Sequence, residues 1–435
     1  MEFTQPTITK AFTPAWWGDF LIETDNQTRT AVLNDCLEET ETALFREYVL
    51  EILRTLARLR TNKHGFRIYI DGVKLIGNDM AQFYDYPPAA GETLEEWSTR
   101  VFGDKKFGMI INLGEKLNVD LANEVAKKIR PLFQQVGFPR EGVNFTIFIG
   151  NYDKTPLGIH QDPAGQSVTH FHLGPSDKTM YTWGKHEFPK LLEDKGLLIT
   201  DVEELIPYAT KYTFSEGDVY FMPEGEYHIG KQDGLSIAVT IWQYNLTKSK
   251  LLKKVVSTLI EQFAEEDNSL NLPDQNPLDS YSGIESTIDL LSLPPDMMGL
   301  SLPDLLREAY IEMRYAIQSN SGYRTSPLTA DEIHLFENDD IIELVQPFQL
   351  LYKRSKDEER LQMFIRGVKI EFMYFQCITH LIDVINDGKP HKVEDLLDVL
   401  DETWETSTGK YLLGLFYKHH GIYLKVAARA ALAAS

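Results

Sequence analysis

Gly217-Asp-Val-Tyr-Phe-Met-Pro223-Glu-Gly225-Glu-Tyr-His228 is the stretch on which the reading of this chain turns. Glycines 217 and 225 admit backbone conformations that a side chain opposes, so each marks a tight turn. Pro223 stiffens the bend between them. Asp218 to Met222 reads as a strand, and the frame presents His228 inward. Similar short segments recur around it: Phe145–Ile149, Val168–Leu173, Lys178–Trp183, Lys211–Phe214 and Leu235–Tyr244. Gly and Pro punctuate them. Many short strands at such spacing predict a small barrel or sandwich.

A second segment, His160-Gln-Asp162, lies upstream. Residues i and i+2 of a strand face the same way, so both side chains can enter the barrel together. His228 must come from a different strand. Two imidazoles and one carboxylate bind one face of an octahedral iron(II) and leave the opposite face open. His-x-Asp alone is a common tripeptide; the frame around His228 is what gives it weight. His160, Asp162 and His228 are therefore the candidate metal ligands and catalytic residues. His170-Phe-His172 is a competing pair at the same spacing. Its alternative reading is that the two histidines line the pocket or pack beside it.

The spacing G-x5-P-x-G-x2-H resembles the second motif of the cupin superfamily. His160-Gln-Asp162 resembles the first motif of its JmjC-like branch, the iron(II)- and 2-oxoglutarate-dependent hydroxylases and demethylases. For His170-Phe-His172 to be that motif, a Glu should follow within a few residues, and Leu173-Gly-Pro-Ser-Asp177 supplies none. Asparaginyl hydroxylases and ribosomal oxygenases are the most similar kinds. The resemblance covers about residues 144–246 and implies an α+β fold on a cupin/JmjC-type double-stranded β-helix, or jelly roll. It also implies Fe(II) as cofactor, with 2-oxoglutarate and dioxygen as cosubstrates. Lys178 stands where the family places a cation against the distal carboxylate of 2-oxoglutarate, and a buried carboxylate does need such a partner. Tyr181 would add a hydroxyl donor, and Thr240 and Gln166 fall at further cosubstrate-binding places. Leu157 departs from the pattern, because the family often has Thr there. The reaction implied is hydroxylation of a C–H bond in a peptide or protein side chain, with decarboxylation of 2-oxoglutarate to succinate. Alternatives are the same chemistry on a small molecule or free amino acid, demethylation, and a cupin binding protein without turnover.

Around this core the expected units are an N-terminal α/β elaboration over 1–104 and the catalytic core over 105–248. A helical linker, serving as a homodimerisation region, follows over 249–328, and a winged-helix-like domain over 329–425. In the first, 37–60 has helical spacing, Phe66–Ile70 reads as a strand and Asp71-Gly72 as a turn. Phe107–Leu113 is a further strand and 119–136 a further helix. Residues 267–283, rich in Asn, Asp, Pro and Ser, read as loop, and 303–318 as helix. In the last unit, strands at Phe348–Tyr352 and Leu361–Ile365 precede helices at Cys377–Asn386, Val393–Leu400 and Lys410–Lys418, and Ile422–Leu424 closes it. That order is similar to the C-terminal winged helix of ribosomal oxygenases and to leader-peptide-binding domains, and so implies a polypeptide partner, including a ribosomally made precursor peptide. The Ala-rich residues 426–435 stand apart from the expected domains.

The chain has 435 residues, with 65 acidic against 43 basic and a formal net charge of −22. So acidic a surface repels phosphate backbones, and nucleic acid is not expected as a partner. The last unit adds Glu394, Asp395, Asp398, Asp401, Glu402 and Glu405 to that repulsion. Two cysteines, Cys36 and Cys377, make no disulfide framework and fit a reducing, cytoplasmic setting. No run is apolar for long enough to span a membrane, and Met-Glu-Phe-Thr-Gln-Pro has no signal-peptide character.

Overall fold

Eight antiparallel strands form the centre of the protein: β5 Val143–Gly150, β6 His160–Gln161, β7 Gln166–Pro175, β8 Lys178–Trp183, β9 Thr210–Phe214, β10 Val219–Met222, β11 Tyr227–Gln232 and β12 Ser236–Tyr244. Four short strands precede them: β1 Ala31–Leu33, β2 Arg67–Ile70, β3 Val73–Lys74 and β4 Phe107–Ile111. In this computed structural model, residues 10–425 are described, apart from His64, Asp331, Glu402 and Thr403. The N-terminal hexapeptide, Glu402 and the tail 426–435 considered above thus lie outside the described residues.

The strands form two facing sheets, ordered β1-β10-β7-β12-β5-β4-β2-β3 and β6-β11-β8-β9. Within them, β5 to β12 alternate between sheets, except that β8 and β9 pair as a hairpin in the smaller one. The barrel is a jelly roll of the cupin kind. The central strands of the larger sheet are buried on both faces. Phe171 of β7 and Phe221 of β10 point away from the barrel, into an aromatic cluster with Phe12, Trp16, Trp17 and Phe20. Helices Pro14–Glu23, Glu39–Leu59 and Val119–Val136 cover that face. The second starts with a capping box between Glu38 and Glu41 and buries Phe45, Val49, Ile52, Leu53 and Leu56. The third starts where Asn118 accepts from the Leu121 amide at 2.8 Å. The elaboration expected over 1–104 is continuous with the barrel, since β1 pairs with β10 and β2 with β4.

The elements foreseen from periodicity recur with ends shifted by a few residues. Others were not foreseen. Helix Pro14–Glu23 carries its aromatic side chains with little charge between them, so it shows no amphipathic period. Helices Leu94–Phe102 and Glu187–Lys195 were not foreseen either, and β11 only as the strand that must carry His228.

After the barrel, helices Lys248–Phe263 and Leu302–Ser319 pack on each other through Val255, Leu259, Leu305 and Ala309. Residues 267–283 between them form neither helix nor strand. The C-terminal part has its own core, from Phe336 to Ile422. It holds two three-stranded sheets: β13 Ile341–Leu344 with β17 His391–Lys392 and β18 Ile422–Leu424, and β14 Leu351–Arg354 with β15 Arg360–Ile365 and β16 Val368–Met373. Helices Gln376–Ile385, Val393–Leu397 and Thr406–Lys418 complete it. The strand expected at Phe348–Tyr352 begins only at Leu351, because Phe348 and Leu350 are drawn into core packing. Among the described residues no helix is long and apolar enough to cross a membrane.

Candidate metal centre

Strand β6 is two residues long, yet its pairing places the site, because His160 stands opposite His228 of β11. The two rings are 4.3 Å apart between centroids. Gln161, between His160 and Asp162, points the other way and donates to Gly225 O at 2.6 Å. That bond ties the tripeptide to the turn that presents His228. That turn needs Gly225, at φ +89°, and the turn before β10 needs Gly217, at φ +90°. A Cβ on Gly217 would lie 2.7 Å from Leu37 O. Both Cys36 and Leu37 amides donate to Gly217 O at 2.9 Å.

One ligand atom each from His160, Asp162 and His228 lies within 4.8 Å of the others, the only such group of three among the described residues. His228 Nε2 is 3.8 Å from Asp162 Oδ2. His160 Nδ1 lies 3.0 Å from Gly158 O, and His228 Nδ1 3.3 Å from Glu226 O. Those contacts place the proton on Nδ1 and leave each Nε2 lone pair free, the tautomer a metal requires. Burial, then repulsion from His160, pushes His228 down to about 3, so it is neutral at neutral pH. Asp162 Oδ2 is buried with no hydrogen-bond partner. Burial pushes that carboxyl upward against the pull of His160. A cation between these groups would satisfy the orphaned oxygen, so the residues fit a divalent metal of the iron type.

The ligands border a cavity of about 550 Å³. Lys178, 6 % exposed, faces into it with its ammonium 5.6 Å from the Phe148 ring centroid, and it makes no ion pair among the described residues. Gly230, opposite Met180, keeps the space open; a Cβ there would lie 2.9 Å from Thr155 Oγ1 and 3.3 Å from Lys178 Cε. His228 pairs with Thr182, four residues along β8 from Lys178. That is about 13 Å of strand, which a lysine side chain and a five-carbon diacid cover between them. Gln166 and Thr240 also line the cavity. Tyr181 does not, and this corrects its expected role. It lies an odd number of residues from Lys178, hence on the opposite face of β8, packed beside Ile159, Phe188 and Ile229.

His170 and His172 separate in role. His170 lines the cavity, with Nδ1 2.8 Å from the Thr240 hydroxyl and Nε2 unpartnered. His172 is wholly buried, with Nε2 2.9 Å from Ser176 O. Burial holds both well below the usual imidazole range, His172 at about 4. They are wall and packing, not metal ligands.

Reasoning from sequence missed Thr155, Arg67, Asn112, Asn144 and Tyr220, all of which line the cavity. The Thr155 hydroxyl donates to Gly230 O at 3.1 Å and accepts from Gly230 N at 3.2 Å.

No family model matches the chain, and no curated protein matches it in sequence. Among solved structures it is similar to the ribosomal oxygenase YcfD from Escherichia coli, at 12% identity and a TM-score of 0.48, over 94% of this chain and 98% of that one. The same protein in complex with cobalt and 2-oxoglutarate gives 13% and 0.48 over the same shares. The non-heme alpha ketoglutarate dependent carbocyclase SnoK from nogalamycin biosynthesis gives 14% and 0.31, over 54% of this chain and 89% of that one. At such identities and scores, what this chain binds is read from its own site.

Proposed function

We propose that this protein is an iron(II)- and 2-oxoglutarate-dependent dioxygenase of the JmjC-like cupin kind, which hydroxylates a C–H bond of a peptide or protein side chain. One observation carries the reading: three metal-type ligands with the correct tautomers share a cavity with a buried, unpaired lysine. A buried ammonium without a partner is costly, and a dicarboxylate cosubstrate removes that cost.

His160, Asp162 and His228 hold the metal, and the Gly158 and Glu226 carbonyls hold the two imidazoles in orientation. Lys178 pairs with the distal carboxylate of 2-oxoglutarate, and Thr240 and Gln166 supply polar contacts along the larger sheet. When bound, iron(II) supplies dioxygen activation coupled to decarboxylation of the keto acid to succinate. Phe148, Met180, Met222 and Trp242 keep water from the reacting atoms. The cavity reaches the surface at Lys63 and Leu157, the latter 45 % exposed. A side chain can therefore enter while its backbone stays outside, which supports a polypeptide substrate. The residues 329–425, read as a winged-helix-like unit, are the candidate for recognising the rest of that polypeptide.

The test is oxygen-dependent succinate formation from 2-oxoglutarate by the iron-loaded protein. Turnover is expected, with loss on chelation and in His160→Ala and Asp162→Ala. Succinate formation that survives both substitutions would refute the assignment.

A further inference from the structure

We infer that the end of the cavity formed by Arg67 and Lys63 binds a carboxylate of the substrate, so that the reaction is directed to an acidic residue or an organic acid. The inference rests on the reading above in giving Asp162 to the metal and Lys178 to the cosubstrate.

The charge balance of the cavity points this way. In a chain of net charge −22, the lining carries Lys63, Arg67 and Lys178, and Asp162 is its only carboxylate among the described residues. Asp162 belongs to the metal and Lys178 to 2-oxoglutarate. A divalent metal with Asp162, and a dianionic cosubstrate with Lys178, sum to neutrality. The two remaining cations have no counter-ion among the described residues.

Arg67 is the stronger case. Its Nε is buried with no hydrogen-bond partner, and its guanidinium makes no ion pair among the described residues. Two other confined guanidiniums do find acceptors. Arg54 donates to Pro88 O, Ala89 O, Glu47 and Glu51. The wholly buried Arg366 donates to Asn320 and Asn123. A planar fork of donors left open toward a cavity matches a carboxylate in two-point contact. Beside it Gly65, at φ +68°, packs closely on Asn112, another lining residue, since a Cβ there would lie 2.5 Å from Asn112 Nδ2.

Position separates this site from the cosubstrate. Lys178 sits over Phe148 of β5. Phe148 pairs with Ile110 of β4, and Ile110 with Arg67 of β2. Arg67 is therefore two strands along the larger sheet, about 10 Å from the Phe148 backbone. Lys63 stands at the exposed mouth beside it. A carboxylate held there enters from the solvent side.

The probes are N-acetyl, C-amidated aspartate and glutamate, their Asn and Gln twins, and free glutamate. Each is titrated by calorimetry or ligand-observed NMR into the full chain, both bare and loaded anaerobically with iron(II) and 2-oxoglutarate. The acids are expected to bind about tenfold or more tightly than their amide twins. Arg67→Gln should abolish that preference and Arg67→Lys should keep part of it. Preference for the blocked acids assigns the carboxylate to a polypeptide side chain, and preference for free glutamate alone to a small acid; both support the site. Equal binding of acids and amides, no binding of any probe, or an Arg67→Gln variant that keeps the preference overturns it. So does a loss in Arg67→Gln that falls on 2-oxoglutarate instead. Acid preference in a wild-type protein that binds no iron with 2-oxoglutarate would leave this site standing and overturn the cosubstrate reading.

Discussion

Lys178 is buried on β8 with no carboxylate paired to it among the described residues, so the ligand-free protein bears the cost of an uncompensated charge. Lys178→Met is expected to stabilise that form by about 1 kcal/mol in thermal melts. The same change should raise the 2-oxoglutarate concentration needed for half-maximal succinate release about 100-fold, through the lost charge-assisted contact. A lysine that only braces the wall would show neither effect. Gly230→Val probes the same end of the cavity, since its side chain meets Thr155 and Lys178. It is expected to weaken 2-oxoglutarate binding more than iron binding, as read by separate titrations. His160, Asp162, His228 and Lys178 were legible because each sits in a local pattern: a same-face pair, a glycine-framed turn, the head of a strand. Arg67 and Asn112 belong to β2 and the end of β4, whose meeting with the barrel is a matter of sheet pairing that no local pattern announces. Tyr181 was misplaced by a parity that the strand reading already contained.

Among the elements, the turn before β10 concentrates the strain. Gly217 combines φ +90° with a backbone oxygen 2.7 Å from where a Cβ would stand. Gly217→Ala is expected to cost about 2–3 kcal/mol in urea unfolding, and to weaken iron binding because β10, which it anchors, runs directly into the turn that presents His228. Unchanged stability would mean that the turn relaxes freely. The strands of the barrel were readable because apolar residues alternate with Thr, Asn and His along them, as in β5, where Phe145, Ile147 and Ile149 face out and Asn144 and Thr146 face the cavity. β6 was readable only through the same-face pair His160 and Asp162, since two residues carry no period. In the C-terminal part the apolar run Phe348–Tyr352 looked like strand from end to end, but its first half packs into the core before pairing begins at Leu351.

At the scale of the whole molecule, the barrel, the helical pair and the C-terminal part meet at residues 320–325. Val143 N donates to Gly322 O at 2.8 Å, Arg324 N to Val143 O at 2.9 Å, and the buried Tyr323 hydroxyl to Ala122 O at 2.9 Å. Glu115 closes this junction, accepting from the Phe145 amide at 3.0 Å and from the Thr325 hydroxyl. Burial pushes the Glu115 carboxyl up from 4.5 to about 7. A carboxyl raised in the fold keeps its proton longer than in the unfolded chain. Its contribution is full below about pH 4.5 and declines until about pH 7, a loss of about 3 kcal/mol. Glu115→Gln is expected to remove that slope from urea unfolding measured across pH 4.5 to 7; an unchanged slope would place its origin elsewhere. The junction was invisible to the reading by domains, which set boundaries where composition changes and not where a buried tyrosine crosses them. The central claim is that metal and keto acid share the one cavity, and anaerobic titration with iron(II) and 2-oxoglutarate followed by visible absorption tests it most directly. A weak charge-transfer band requiring both additions, lost in His228→Ala and displaced to higher 2-oxoglutarate in Lys178→Met, is the expected result. No band in the wild-type protein, together with no oxygen-dependent succinate, would contradict it.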